Sequence, residues 1–169
     1  MLPEIKKILY ATAMGASASY VYRYALLSAK QYDAQIIAVS ALEKLSPFGQ
    51  SLVELHISQE QSKEIHDRAH IQAKERLQER IERLCTLEGG TDPQYAERLD
   101  DIIIKEGPPA QIILSVAKEQ NVDLIIMGSH RHSALEDAVL GSTTSKVLHN
   151  TTIPVLVVRI PDGYHEEGY

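Results

Sequence analysis

The sequence predicts an α/β protein: one open, mostly parallel five-stranded sheet with helices on both faces, in three layers. Three observations predict it. Five short apolar runs of strand length recur along the 169 residues, at 8–13, 34–41, 101–105, 124–127 and 155–158. Segments with apolar residues at helical spacing lie between them. Glycine and proline punctuate the joins.

Taken in order, residues 8–13 follow the basic pair Lys6 and Lys7 and read as a buried strand that stops at the turn sequence MGAS, 14–17. Ala18, Val21, Ala25, Leu26 and Ala29 then mark one face of a helix, with Ser17 where an N-cap belongs. AQIIAVSA, 34–41, is the second strand, so the first three elements make a βαβ unit with parallel strands. Residues 42–57 show no period, contain Pro47 and Gly49, and read as a loop. Ser58 opens a long helix, and Gln61 completes a capping box three residues later. Its apolar stripe is Ile65, Ala69, Ala73, Leu77, Ile81 and Leu84, and its other face, dense in charge, reads as solvated. Residues 88–95, with Gly89, Gly90 and Pro93, read as a loop. DIIIK, 101–105, is the third strand, and Gly107, Pro108 and Pro109 lead into a helix that buries Ile112, Ile113, Val116 and Ala117. Proline suits that first turn because its missing N–H would have no partner there. The fourth strand runs to Gly128, and after a polar loop Gly141 and Ser142 open the last helix. Val155 begins and Val158 ends the fifth apolar run. Residues 1–160 read as a single domain and the polar 161–169 as a tail that frays.

Composition excludes several functions. A net charge of −6 lacks the basic face that a general nucleic-acid binder needs. No stretch approaches the roughly 20 apolar residues that cross a bilayer, and MLPEIKKILYAT has no signal-peptide pattern. One cysteine, Cys85, allows no internal disulfide and suits a reducing compartment, so the cytoplasm is the expected location. Cys85 itself reads as a buried, inert thiol.

The most specific chemical signal is the stretch GSHRHSALEDAVLGS, residues 128–142. A strand that ends in glycine, a loop, and a Gly-Ser at a helix start are the parts of a phosphate cradle, where bare amides and the helix dipole favour an anion. The plainer reading is a strand-to-helix turn in which glycine only eases the backbone and Ser142 only caps the helix. The spacing resembles that of the universal stress protein family, whose nucleotide-binding members carry Gly, two residues, Gly, nine residues, then Gly-Ser or Gly-Thr. Gly128 fills the first position and Gly141 and Ser142 the last two; Arg131 stands where the middle glycine would be. The resemblance extends over nearly the whole chain and implies a Rossmann-like sheet with strand order 3-2-1-4-5. In that order the topological switch lies between strands one and four, and ligands bind beyond the carboxyl ends of the strands there.

The resemblance implies a site built from Thr12, Ala13, Ala41, Gly128, His130, Arg131, Gly141, Ser142 and Thr143. Its cofactor would be ATP or a related adenine nucleotide, with Mg2+ only where ATP is bound. Ala13 departs from the family, which has an aspartate at that position in contact with the adenosine. Loss of such a contact typically costs about 1–3 kcal/mol. Arg131 would either obstruct close approach of backbone to phosphate or bind the phosphate through its guanidinium. Glu136 and Asp137 add negative charge to the same loop, and His130 and His132 stand as phosphate-facing donors or as exposed loop residues. His66 and His70, four apart on the long helix, lack a third ligand at metal spacing and read as a pair flanking the apolar stripe.

No Ser-His-Asp, Cys-His or Walker pattern can be assembled, which disfavours a dedicated enzyme. The last strand is short, apolar and, in the implied order, an edge that invites pairing. The resemblance implies a homodimer through that strand, 155–158. The expected function is a cytoplasmic, dimeric, nucleotide-binding module of the stress response that acts on an unidentified protein partner. One alternative is a relative that has lost nucleotide binding and acts through protein contacts alone. Another is a small nucleotide hydrolase or nucleotidyl transferase using the same crevice.

Overall fold

The computed structural model describes residues 2–44, 46–90, 92–129, 140–164 and 166. The elements run β1 (Lys7–Ala11), α1 (Ala18–Tyr32), β2 (Gln35–Leu42), α2 (Pro47–Glu54), α3 (Gln59–Gly89) and α4 (Gln94–Glu97). They continue with β3 (Leu99–Glu106), α5 (Pro109–Glu119), β4 (Leu124–Ser129), α6 (Ser142–Asn150) and β5 (Val155–Arg159). The five strands form one sheet in the order β3-β2-β1-β4-β5, and every neighbouring pair is parallel. This is the sheet and the order expected.

Alternate strand residues point to opposite faces, and each face carries its own core. On one side Ile8, Tyr10, Ile36 and Ile126 pack under Tyr22 and Leu26 of α1 and Leu77, Ile81 and Leu84 of α3. On the other, Leu9, Ile37, Val39 and Ile125 pack under Ile113 and Val116 of α5 and Val147 of α6. Each fully buried aliphatic side chain contributes about 1.5–3 kcal/mol, so the central strands, buried on both faces, anchor the molecule. Cys85 lies in the first core, where its thiol donates to the Tyr95 carbonyl at 3.4 Å and burial holds its pKa up.

Several local expectations are corrected. Residues 42–57 contain a helix, α2, started by Ser46, whose hydroxyl accepts from the Gly49 amide at 3.1 Å, and by Pro47 in the first turn. Its apolar residues show no buried period because Phe48 and Leu52 are exposed. The capping box at Ser58 and Gln61 forms as read. The stripe of α3, however, is buried only from Ala73 onward, and Ile65 is 57% exposed. Thirty-one residues of helix reach about 46 Å, while the eight of β3 reach about 27 Å, so the first turns overhang the sheet. α3 also continues through Gly89 and ends at Gly90, whose φ of 60° is open to glycine, and α4 follows inside the expected 88–95 loop and just beyond it. Ser17 makes no side-chain cap.

The tail does not fray over its described part. Arg23 of α1 donates to the Tyr164 hydroxyl at 2.8 Å and grips both carboxylate oxygens of Glu166 at 2.6 and 2.9 Å. The Tyr164 ring stacks at a tilt on Tyr20, with centroids 4.9 Å apart.

Candidate functional site

β1 and β4 are neighbours in space although far apart in sequence, so the segments that leave their carboxyl ends diverge to opposite faces and open a crevice. A cavity of about 290 Å³ lies there. It is at the small end of ligand pockets, which run roughly 300–1,000 Å³.

The β1 exit forms one side. The Thr12 amide donates to the Val39 carbonyl at 3.0 Å, extending the sheet by one bond past β1. The Thr12 hydroxyl then accepts from the Met14 amide at 3.0 Å, a local turn that suits a threonine at a strand end. Met14 is left-handed, with φ of 56°, and its carbonyl accepts from the Arg80 guanidinium of α3. The loop is therefore pinned from behind by a residue that no local pattern connects to it.

The β4 exit forms the other side. Gly128 does not need a positive φ; what a side chain would meet there is tight packing. A Cβ there would sit 3.0 Å from Val21 Cγ2 and 3.2 Å from Ile160 Cδ1. The Gly128 carbonyl accepts from the buried Thr144 hydroxyl at 3.3 Å, which ties the start of α6 to the end of β4. Gly141 is the N-cap of α6 and has no side chain with which to cap it. The first-turn amides of a helix have no intrahelical acceptor and carry the positive end of its dipole. Those of Ser142, Thr143 and Thr144 belong to residues that line the cavity, so an anion there would meet ready donors.

Of the residues singled out from sequence, Thr12, Ala13, Ala41, Gly128, Gly141, Ser142 and Thr143 all line this one cavity. His130 and Arg131 lie outside the described residues, as do His132, Glu136 and Asp137. Ala13 brings only a methyl group. Ser142 is the first residue of α6 and not its cap. Sequence reading missed Glu43, Pro109, Ile113 and Ile160, which also line the cavity. Glu43 had a usable signal: it stands two residues beyond Ala41, on the same side of an extended chain. Ile160 had none, since only the folded sheet brings the end of β5 beside β4.

The histidine pair makes no centre. His66 Nδ1 lies 2.7 Å from the Ser62 carbonyl and Nε2 lies 3.9 Å from Glu106. Among the described residues no group of three or more His, Cys, Asp or Glu could hold a metal ion. No helix of the described residues is long and apolar enough to cross a membrane.

Comparison with known proteins agrees with the geometry. The model of the universal stress protein family matches residues 4–159. Universal stress protein A homolog 2 of Coxiella burnetii is 34% identical over 161 residues, which cover 94% of this chain and 98% of that one. Among solved structures, protein MJ0577, from Methanocaldococcus jannaschii, superposes with a TM-score of 0.68 at 24% identity, covering 95% of this chain and 99% of its own. A universal stress protein solved in complex with cAMP superposes with a TM-score of 0.52 at 19% identity, covering 93% and 98%.

Proposed function

This chain belongs to the universal stress protein family, and from that premise we propose that it binds ATP or a related adenine nucleotide in the crevice between β1 and β4. The observation that carries the reading is the pairing of a cavity at the topological switch with the N-terminus of α6 on its wall, where Gly141 supplies no capping side chain. The phosphates would lie against the amides of Ser142 and Thr143, where Gly128 and Gly141 keep the backbone bare. Mg2+ would enter only with the polyphosphate. The complex of a related protein with cAMP supports an adenine nucleotide as the ligand class.

The protein acts, in this reading, as a cytoplasmic regulatory module that reports nucleotide occupancy to a protein partner in the stress response. It works as a homodimer paired through β5, an edge strand on which Leu156 is 37% exposed. Ala13 favours a second reading, a protein that keeps the fold and acts through protein contacts alone, because a methyl group supplies no hydrogen bond to the ligand.

The two readings separate on the purified protein. Denaturation followed by chromatography and mass analysis of the supernatant should release an adenine nucleotide approaching one per chain. If none is released and added ATP leaves thermal stability unchanged, the second reading replaces the first.

A further inference from the structure

The cavity has a donor end at the start of α6 and, on its far side, one carboxylate. Val39, Ala41 and Glu43 alternate along β2 and its exit, and all three line the cavity. Glu43 is the only acidic residue among the described lining residues. An ionised carboxylate only accepts hydrogen bonds. Two other polar side chains of the cavity are engaged within the protein: the Tyr10 hydroxyl donates to the Ala18 carbonyl at 2.8 Å, and the Thr12 hydroxyl accepts from the Met14 amide.

Position fixes what Glu43 can meet. Val39, Ala11 and Met127 are register partners across β2, β1 and β4. Glu43, four residues beyond Val39, therefore stands at least two strand spacings, about 10 Å, from the strand over which α6 begins. A phosphate would be repelled by Glu43 and attracted by α6, so the charges set the ligand's direction. The walls on the Glu43 side are apolar, with Val39 and Ala41 of β2 facing Pro109 and Ile113 of α5. Such a slot suits a flat ring whose edge carries a hydrogen-bond donor.

Resting on the nucleotide reading above, we propose that Glu43 is the specificity-determining residue of this site. It accepts a hydrogen bond from the exocyclic amine of the bound adenine. A 6-oxo purine would place an acceptor oxygen against the carboxylate and be rejected.

A double-mutant cycle between residue and ligand tests this. Wild type, Glu43→Ala and Glu43→Gln are titrated calorimetrically with ATP, purine riboside triphosphate (which lacks only the amine), ITP and 2′-deoxyATP. Wild type should bind ATP roughly ten- to a hundredfold more tightly than purine riboside triphosphate or ITP. Glu43→Ala should bring those ratios close to one, and Glu43→Gln, which keeps an acceptor oxygen, should retain part of the preference. Ratios unchanged in Glu43→Ala, with ATP still bound, overturn this proposal alone. Non-additivity that falls on 2′-deoxyATP also overturns it, because the carboxylate would then read the sugar. No binding of any nucleotide by wild type overturns the nucleotide reading on which it rests.

Discussion

Gly128 illustrates how little of a residue's reason is local. Its place at a strand end is visible in the sequence, and glycine there suggests a backbone need. The folded chain shows a packing need, set by Val21 and Ile160 from two other elements. Both contacts are side-chain ends that need to give by only a few tenths of an ångström, so Gly128→Ala should change stability by no more than about 1 kcal/mol, read from urea denaturation. The Arg23–Glu166 pair is a second case, with partners 143 positions apart and no pattern joining them. Arg23 and its hydrogen bonds hold the Glu166 carboxyl at about 2, below its ordinary 4.5. A lowered carboxyl pKa contributes stability that is complete above about pH 4.5 and is lost as pH falls toward 2. Docking of the tail, followed by protection of its backbone amides from hydrogen exchange, should weaken over that window. In Arg23→Ala that pH dependence should shrink, with Tyr164 and Ser19 left to lower the carboxyl, and the protein should lose about 1 kcal/mol, since the pair is partly solvated.

At the scale of elements, the strands are legible because the central ones are buried on both faces and read as unbroken apolar runs. α3 is legible through its capping box, yet its length misleads. Periodicity marks which face could be buried and not where cover ends, so Ile65 and Ala73 look alike in sequence and differ in the fold. α2 escapes for the opposite reason. It has a sound start in Ser46 and Pro47 but buries too little to show a period. Removing the cap of α3 by Ser58→Ala should cost about 1 kcal/mol locally. Hydrogen exchange should then quicken in the overhanging first turns and leave the amides beyond Ala73 unchanged. Equal quickening along the whole helix would show that α3 unfolds as one unit.

For the whole molecule, alternation of strands and helices is enough to predict an open parallel sheet, while its strand order, and so the crevice, follows from the family resemblance that the glycine spacing carries. Seven of the nine proposed site residues come together there because strand order, not sequence proximity, sets β1 beside β4. Glu43 carries a weak signal, its place two residues beyond Ala41, and only the folded wall on the β2 side shows that it lines the cavity. At one edge of the sheet, β5 has a strand neighbour on one side only among the described residues, which is the surface proposed above for pairing with a second copy. Sedimentation at micromolar concentration should give a dimer, and Val157→Pro, which removes an amide from that strand, should give a monomer.

An adenine nucleotide bound in the crevice between β1 and β4 would be held through the start of α6. Calorimetric titration of ATP into protein first stripped of bound nucleotide, for wild type and Gly141→Val, tests this directly. Wild type should show saturable binding at one site per chain, and binding should be at least tenfold weaker when a branched side chain stands in the cradle. No heat from wild type up to millimolar ATP, or equal binding by the two proteins, would contradict this mode of binding.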